Sequence, residues 1–150
     1  MTKEEKNVFS LRIANSSKTE LIVITYDIIV NYVDAACDAY SKEDLELVVF
    51  NLQKAKQFLN NLSSCLNFEY GISYELMNLY IYVNNCLVRD IVKRNPQSAD
   101  TVKSIINELR ESFEVVSAKD TSGRVMKNSE RVYVGYTYGR TSTLNEVVFR

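Results

Sequence analysis

Between residues 17 and 40 the apolar positions fall on two adjacent stripes at helical spacing. Leu21, Thr25, Ile28, Tyr32, Ala35 and Ala39 form one stripe, and Ile22, Tyr26, Ile29, Val33, Ala36 and Tyr40 form its neighbour. An amphipathic helix against a core needs only one such stripe. Two stripes, with Val23, Ile24 and Val30 added, predict contacts around most of the helix circumference. The β-branched residues of LIVITYDIIV would suit a strand. The pattern instead continues well past ordinary strand length without a turn signal. Ser17 and Glu20 also form a capping box at its start. A helix over 17–40 is therefore expected.

Single-stripe patterns follow. Residues 42–67 carry Leu45, Val48, Leu52, Ala55, Leu59, Leu62 and Leu66, with Ser41 as the expected cap and Asp44 three residues on. After the break at NFEYG, residues 71–94 carry Ile72, Leu76, Leu79, Val83, Leu87 and Ile91. Pro96, the only proline, stops that helix, because its ring blocks helical continuation. Ser98 or Asp100 can cap a last helix over 99–118, with Val102, Ile105, Ile106, Leu109, Phe113 and Val116 on one face. Four helices with short connections predict an all-α, antiparallel up-down-up-down four-helix bundle, in one domain over 1–120. On its amino-terminal side, NVFSLRI (7–13) alternates Phe9, Leu11 and Ile13 and is expected as an extended arm. On the other side, RVYVGYTYG alternates Val132, Val134, Tyr136 and Tyr138 at strand period, so 121–150 is expected as a tail of strand-like character.

Composition removes several classes of function. Charged residues at 25% and hydrophobic residues at 46% are ordinary for a globular domain. A net charge of −1 gives no general footprint for nucleic acid. No apolar run reaches the ~20 residues that span a bilayer, so direct membrane insertion is not expected. The first residues lack the apolar core of a secretory signal, which points to a cytoplasmic address. The chain has no histidine, and Cys37, Cys65 and Cys86 have no metal-ligand spacing. Without those groups, or a glycine-rich phosphate loop, neither an enzyme nor a cofactor is expected.

Three segments resemble the flagellin-specific secretion chaperones of bacterial flagella. NSSKTELIVITYDIIV resembles that family's Thr-Ala-Ser-Pro opening and the Leu-rich run that ends in Tyr-Asp, here Tyr26-Asp27. ISYELMNLYIYVNNCL resembles its Leu-Tyr-x-Tyr helix through Leu79, Tyr80 and Tyr82, and INELRESF resembles its last helix, with Phe113 where tryptophan is common. Two positions depart: Lys18 stands where proline is usual, and Ile28 where glycine follows Tyr-Asp.

The resemblance implies a cytoplasmic chaperone that binds the disordered carboxy-terminal segment of flagellin in apolar grooves. It would prevent premature polymerisation and support type III export, with the export gate as a further partner and room for a homodimer. On that reading Ile22, Tyr26, Asp27, Ile29, Tyr74, Tyr80 and Tyr82 line the groove, and Phe9, Leu11 and Ile13 form an amino-terminal lid. Each has a plainer alternative. Asp27 can instead bond a neighbouring helix, Tyr80 can be core, and the arm can be permanently docked. For the chain as a whole, the alternative is a self-assembling helical adaptor that never binds an unfolded client.

Overall fold

The structure, a computed structural model, describes residues 1–120 and 123–125. Among these residues all regular structure is helical: α1 (Lys3–Ala14), α2 (Lys18–Ser41), α3 (Leu45–Ser64), α4 (Ile72–Lys93) and α5 (Ala99–Ala118). The segment RVYVGYTYG, expected to be strand-like, lies outside the described residues.

The expected extended arm is a helix, which corrects the reading of residues 7–13. A capping box starts it: Thr2 Oγ1 accepts from the Glu5 N–H at 3.2 Å while Thr2 N–H donates to the Glu5 carboxylate at 2.6 Å. Phe9 and Ile13, four residues apart, are buried, whereas Leu11 between them is 58% exposed. Strand period would have placed all three on one side. The alternation of residue types hid a helical pair that turns inward.

Helix α2 starts as expected, with Ser17 and Glu20 exchanging backbone and side-chain bonds at 3.3 and 3.2 Å. The start of α3 differs. Ser41 ends α2, and Asp44 is the cap, accepting from the Leu47 N–H at 3.1 Å. Glu43 makes the intervening turn at φ 58°, a left-handed conformation that a side-chain-bearing residue adopts only where the surrounding structure holds it. Helix α4 ends at Arg94, also left-handed at φ 52°, two residues before Pro96. Ser98 occupies the cap position of α5, but its hydroxyl bonds Asp90 instead of the helix.

Helix α2 packs along both α3 and α5, α3 also packs on α4, α4 meets α5 over a smaller area, and α1 lies on α2. Most of both stripes of α2 is buried by this arrangement, with Ile22 and Ala35 half-buried and Tyr40 exposed. Leu21, Thr25, Ile28 and Tyr32 are buried, and so are Tyr26, Ile29, Val33 and Ala36. A helix with neighbours on so many sides needs apolar residues all round. In α4 the buried face is Leu76, Tyr80, Val83, Cys86 and Leu87, whereas Ile72 and Leu79, expected inside, are exposed. The inward Tyr80 takes the place that the stripe reading assigned to Leu79.

Candidate functional site

The residues singled out from the sequence divide into an interior group and a surface group. Tyr26 and Ile29 are each 0% exposed and Tyr80 is buried beside them, so none lies on an open groove. The Tyr26 hydroxyl meets the Tyr80 hydroxyl, and the Tyr26 ring tilts against Phe113 with centroids 5.9 Å apart. Burial, followed by the Tyr80 partner, drives the Tyr26 hydroxyl far above its ordinary pKa, and burial also raises those of Tyr80 and Tyr32. These rings pack α2 against α4 and α5, and the phenol protons stay on.

Asp27 sits where this interior meets α1 and is half-buried. Arg12 of α1 donates to its Oδ2 at 2.8 Å, and Arg110 of α5 donates to its Oδ1. Arg110 also reaches Glu114 at 3.0 Å, and its own pKa is raised chiefly by the Asp27 bond. The plainer alternative for Asp27 therefore describes what it does here: it bonds neighbouring helices. Neither arginine had been singled out from the sequence. Their position opposite Asp27 depends on three helices meeting, which no local pattern encodes.

The expected lid residues split in the same way. Phe9 and Ile13 join the core, while Leu11 faces solvent. The backbone bond from Thr2 chiefly lowers the Glu5 pKa, and the Asn31 side chain of α2 favours its charged form further. With Arg12 on Asp27, these contacts hold α1 against α2 at both of its ends. Ile22 is half-buried.

The surface group lies on α4. Tyr74 is 60% exposed, with its ring 5.0 Å from Phe68 of the preceding loop. Tyr82 is half-exposed and borders a polar cleft of about 360 Å³ with Arg89, Lys93 and Thr101. Sequence reasoning missed the rest of this face. Tyr74, Ile81 and Val88 recur every seven residues, as do Asn78, Asn85 and Val92, and all six are exposed. Val92 reaches 77%. Seven-residue spacing places them on one stripe of the helix. The only charged residues of α4 are Glu75, Arg89, Asp90 and Lys93, so this stripe carries no charge of its own. The signal was present as a second heptad; the inward stripe of the same helix masked it.

Behind that face, Asp90 is 2% exposed and ties α4 to α5. Its carboxylate accepts from the Ser98 N–H at 3.0 Å and the Ser98 hydroxyl at 3.1 Å. Among the described residues no group of acidic and cysteine side chains is placed to hold a metal ion, and no helix is long and apolar enough to cross a membrane.

An exposed, uncharged stripe with several large apolar side chains is a feature of surfaces that meet a partner. The profile of the family described as flagellar protein FliS matches residues 1–120, and the chain belongs to that family of flagellin-specific export chaperones. Membership gives it a role in flagellum assembly and export, with flagellin as the family's binding partner. Comparison with curated proteins finds none that matches.

Proposed function

We propose that this protein binds the disordered carboxy-terminal segment of flagellin, keeps it from polymerising in the cytoplasm and hands it to the export gate. It does so as a non-enzymatic binding domain over residues 1–120, with 121–150 as an appended tail. Its α2–α5 core is read as an antiparallel up-down-up-down four-helix bundle. Supporting that arrangement, Asp27 pairs with Arg110 and Asp34 with Lys103, so the positions ascend on α2 as they descend on α5.

The observation that carries the binding reading is the uncharged, exposed stripe of α4 in a chain of this family. An amphipathic client helix would lay its apolar face along Tyr74, Ile81 and Val88, with Tyr82 at the margin. Aromatic and aliphatic anchors of this kind are the residue types on which helix-in-groove recognition depends. Tyr26, Ile29 and Tyr80 support the floor beneath that surface from within. Ile22 and Asp27 come within a client's reach once α1 lifts, so Phe9, Leu11 and Ile13 act as a displaceable cover.

Titration calorimetry with a peptide of flagellin's carboxy-terminal segment tests this. A one-to-one complex with a negative heat-capacity change is expected, because apolar burial drives it. Ile81→Asp together with Val88→Asp should abolish the binding without unfolding the protein, since both side chains are exposed. Absence of binding by the unaltered chain, or full binding by the doubly substituted one, overturns the reading.

A further inference from the structure

Helix α4 carries Tyr74, Ile81, Val88 and Val92, with Asn78 and Asn85 between them, on an exposed and uncharged stripe. Large exposed apolar side chains grouped on one helix face mark surfaces that meet a partner. The position where the chain leaves the described domain suggests an occupant. The Val125 N–H donates to the Ser16 carbonyl at 3.1 Å, and Arg124 donates to the Asn15 side chain at 3.2 Å. The remaining segment, 126–150, therefore departs from the α1–α2 junction.

That junction lies at the same end of the molecule as the start of α4. Tyr26 and Tyr80, whose hydroxyls meet, each stand eight residues into their helices, and α3 closes at Cys65. From there a short loop leads to Ile72. Helix α4 spans 22 residues, or about 33 Å at ~1.5 Å per residue. Residues 126–150 can extend about 80 Å at ~3.3 Å per residue, ample to cross the intervening surface and run the length of α4.

Chemistry matches reach. The segment places Val132, Val134, Tyr136 and Tyr138 at alternate positions, a row of apolar side chains suited to an uncharged stripe. It carries Lys127, Arg131, Arg140 and Arg150 against Glu130 and Glu146, a cationic excess on a chain whose total is −1. The rest of the chain is correspondingly acidic, and Asp120, bonded to Thr19, stands at the end where the segment leaves.

We propose that segment 126–150 docks along the outer face of α4, with Val132, Val134, Tyr136 and Tyr138 covering Tyr74, Ile81, Val88 and Val92. The domain then shields its own apolar surface, and an incoming chain must displace the segment. The link to client binding rests on the surface proposed above; the docking itself does not.

The chain has no tryptophan, so Val88→Trp in the full chain gives a single reporter at an exposed position. With the segment docked, Trp emission lies at short wavelength and resists quenching by iodide. Adding Val134→Asp and Tyr136→Asp to that chain should move the emission to longer wavelength and restore quenching, with helical circular dichroism unchanged. A synthetic 126–150 peptide in excess should reverse both changes. Three results overturn the proposal. The reporter is solvent-exposed in the full chain, it stays shielded after the tail substitutions, or its shielding vanishes on dilution together with a dimer, which would make a second copy the occupant. No flagellin is present, so this test and the client-binding test fail independently.

Discussion

The hydroxyl of Tyr26 on α2 meets the hydroxyl of Tyr80 on α4 inside the core, each supplying the other's partner in a region closed to water. Removing one hydroxyl leaves the other buried and unsatisfied, which costs about 1–3 kcal/mol. Tyr26→Phe or Tyr80→Phe alone should therefore lower the urea midpoint at unchanged slope. The double Phe variant should recover most of that loss, because neither polar group remains. Additive losses in the double-mutant cycle would show that the two hydroxyls do not depend on each other.

The same pair makes the fold sensitive to alkali. Burial raises the pKa of Tyr26, Tyr32 and Tyr80, so the unfolded chain gives up these protons first. The folded state then holds more protons than the unfolded one above the free tyrosine pKa of about 10. Stability is fully present below that pH and falls as pH rises through it. Lys103, raised mainly by its bond to Asp34, adds a loss of the same sign. Urea midpoints measured from neutral to strongly alkaline pH should decline for the unaltered chain. The decline should be shallower for the double Phe variant, and equal slopes would sink this account.

Asp27 joins α1 to α5 through Arg12 and Arg110. Partly exposed pairs are worth about 0.2–1 kcal/mol each, so losing both in Asp27→Asn should cost roughly 0.4–2 kcal/mol. The loss should concentrate on α1, which has the smallest packing area on its neighbours of the elements bonded here. Hydrogen exchange of residues 3–14 should accelerate, while amides in α2 keep their protection. Uniform acceleration would mean that α1 does not open separately.

Asp90 takes two bonds from Ser98 in a nearly closed site. Asp90→Ala removes the acceptor for both and should destabilise the fold by about 2–3 kcal/mol, since bonds to a charged group are the stronger kind. Asp90→Asn keeps one acceptor oxygen and should cost less. Thermal melts of the two variants give the comparison, and a milder Ala variant would contradict the assigned role.

Helices announced by a cap or a stop were legible in the sequence, namely the box at Ser17 and Glu20 and the stop at Pro96. The α1 helix was not, because Phe9, Leu11 and Ile13 satisfy two periods at once, and its capping box lies at the first residues of the chain. The doubled stripe of α2 correctly announced contacts all round, but its partners are other helices of the same domain. Burial of Tyr26 and Ile29 follows from that. The surface face of α4 escaped notice because a helix with two apolar stripes does not mark which one turns inward. Only the packing of α3 and α5 decides that Tyr80 is inside and Ile81 outside. The Asp27–Arg110 contact joins residues 83 apart in sequence, beyond the reach of any local pattern, and Asp90 reaches Ser98 across the turn at Pro96 and not at a helical spacing.

The packed amino-terminal half of α2 carries a hazard that appears only when the fold is lost. LIVITYDIIV is rich in β-branched residues and holds a single charge, a composition that stacks readily into cross-β fibrils. Helical packing on several sides keeps this segment out of circulation. Each substitution that loosens the core thus also releases an aggregation-prone strand former. For this chain, folding stability and solubility at working concentration are set by the same contacts.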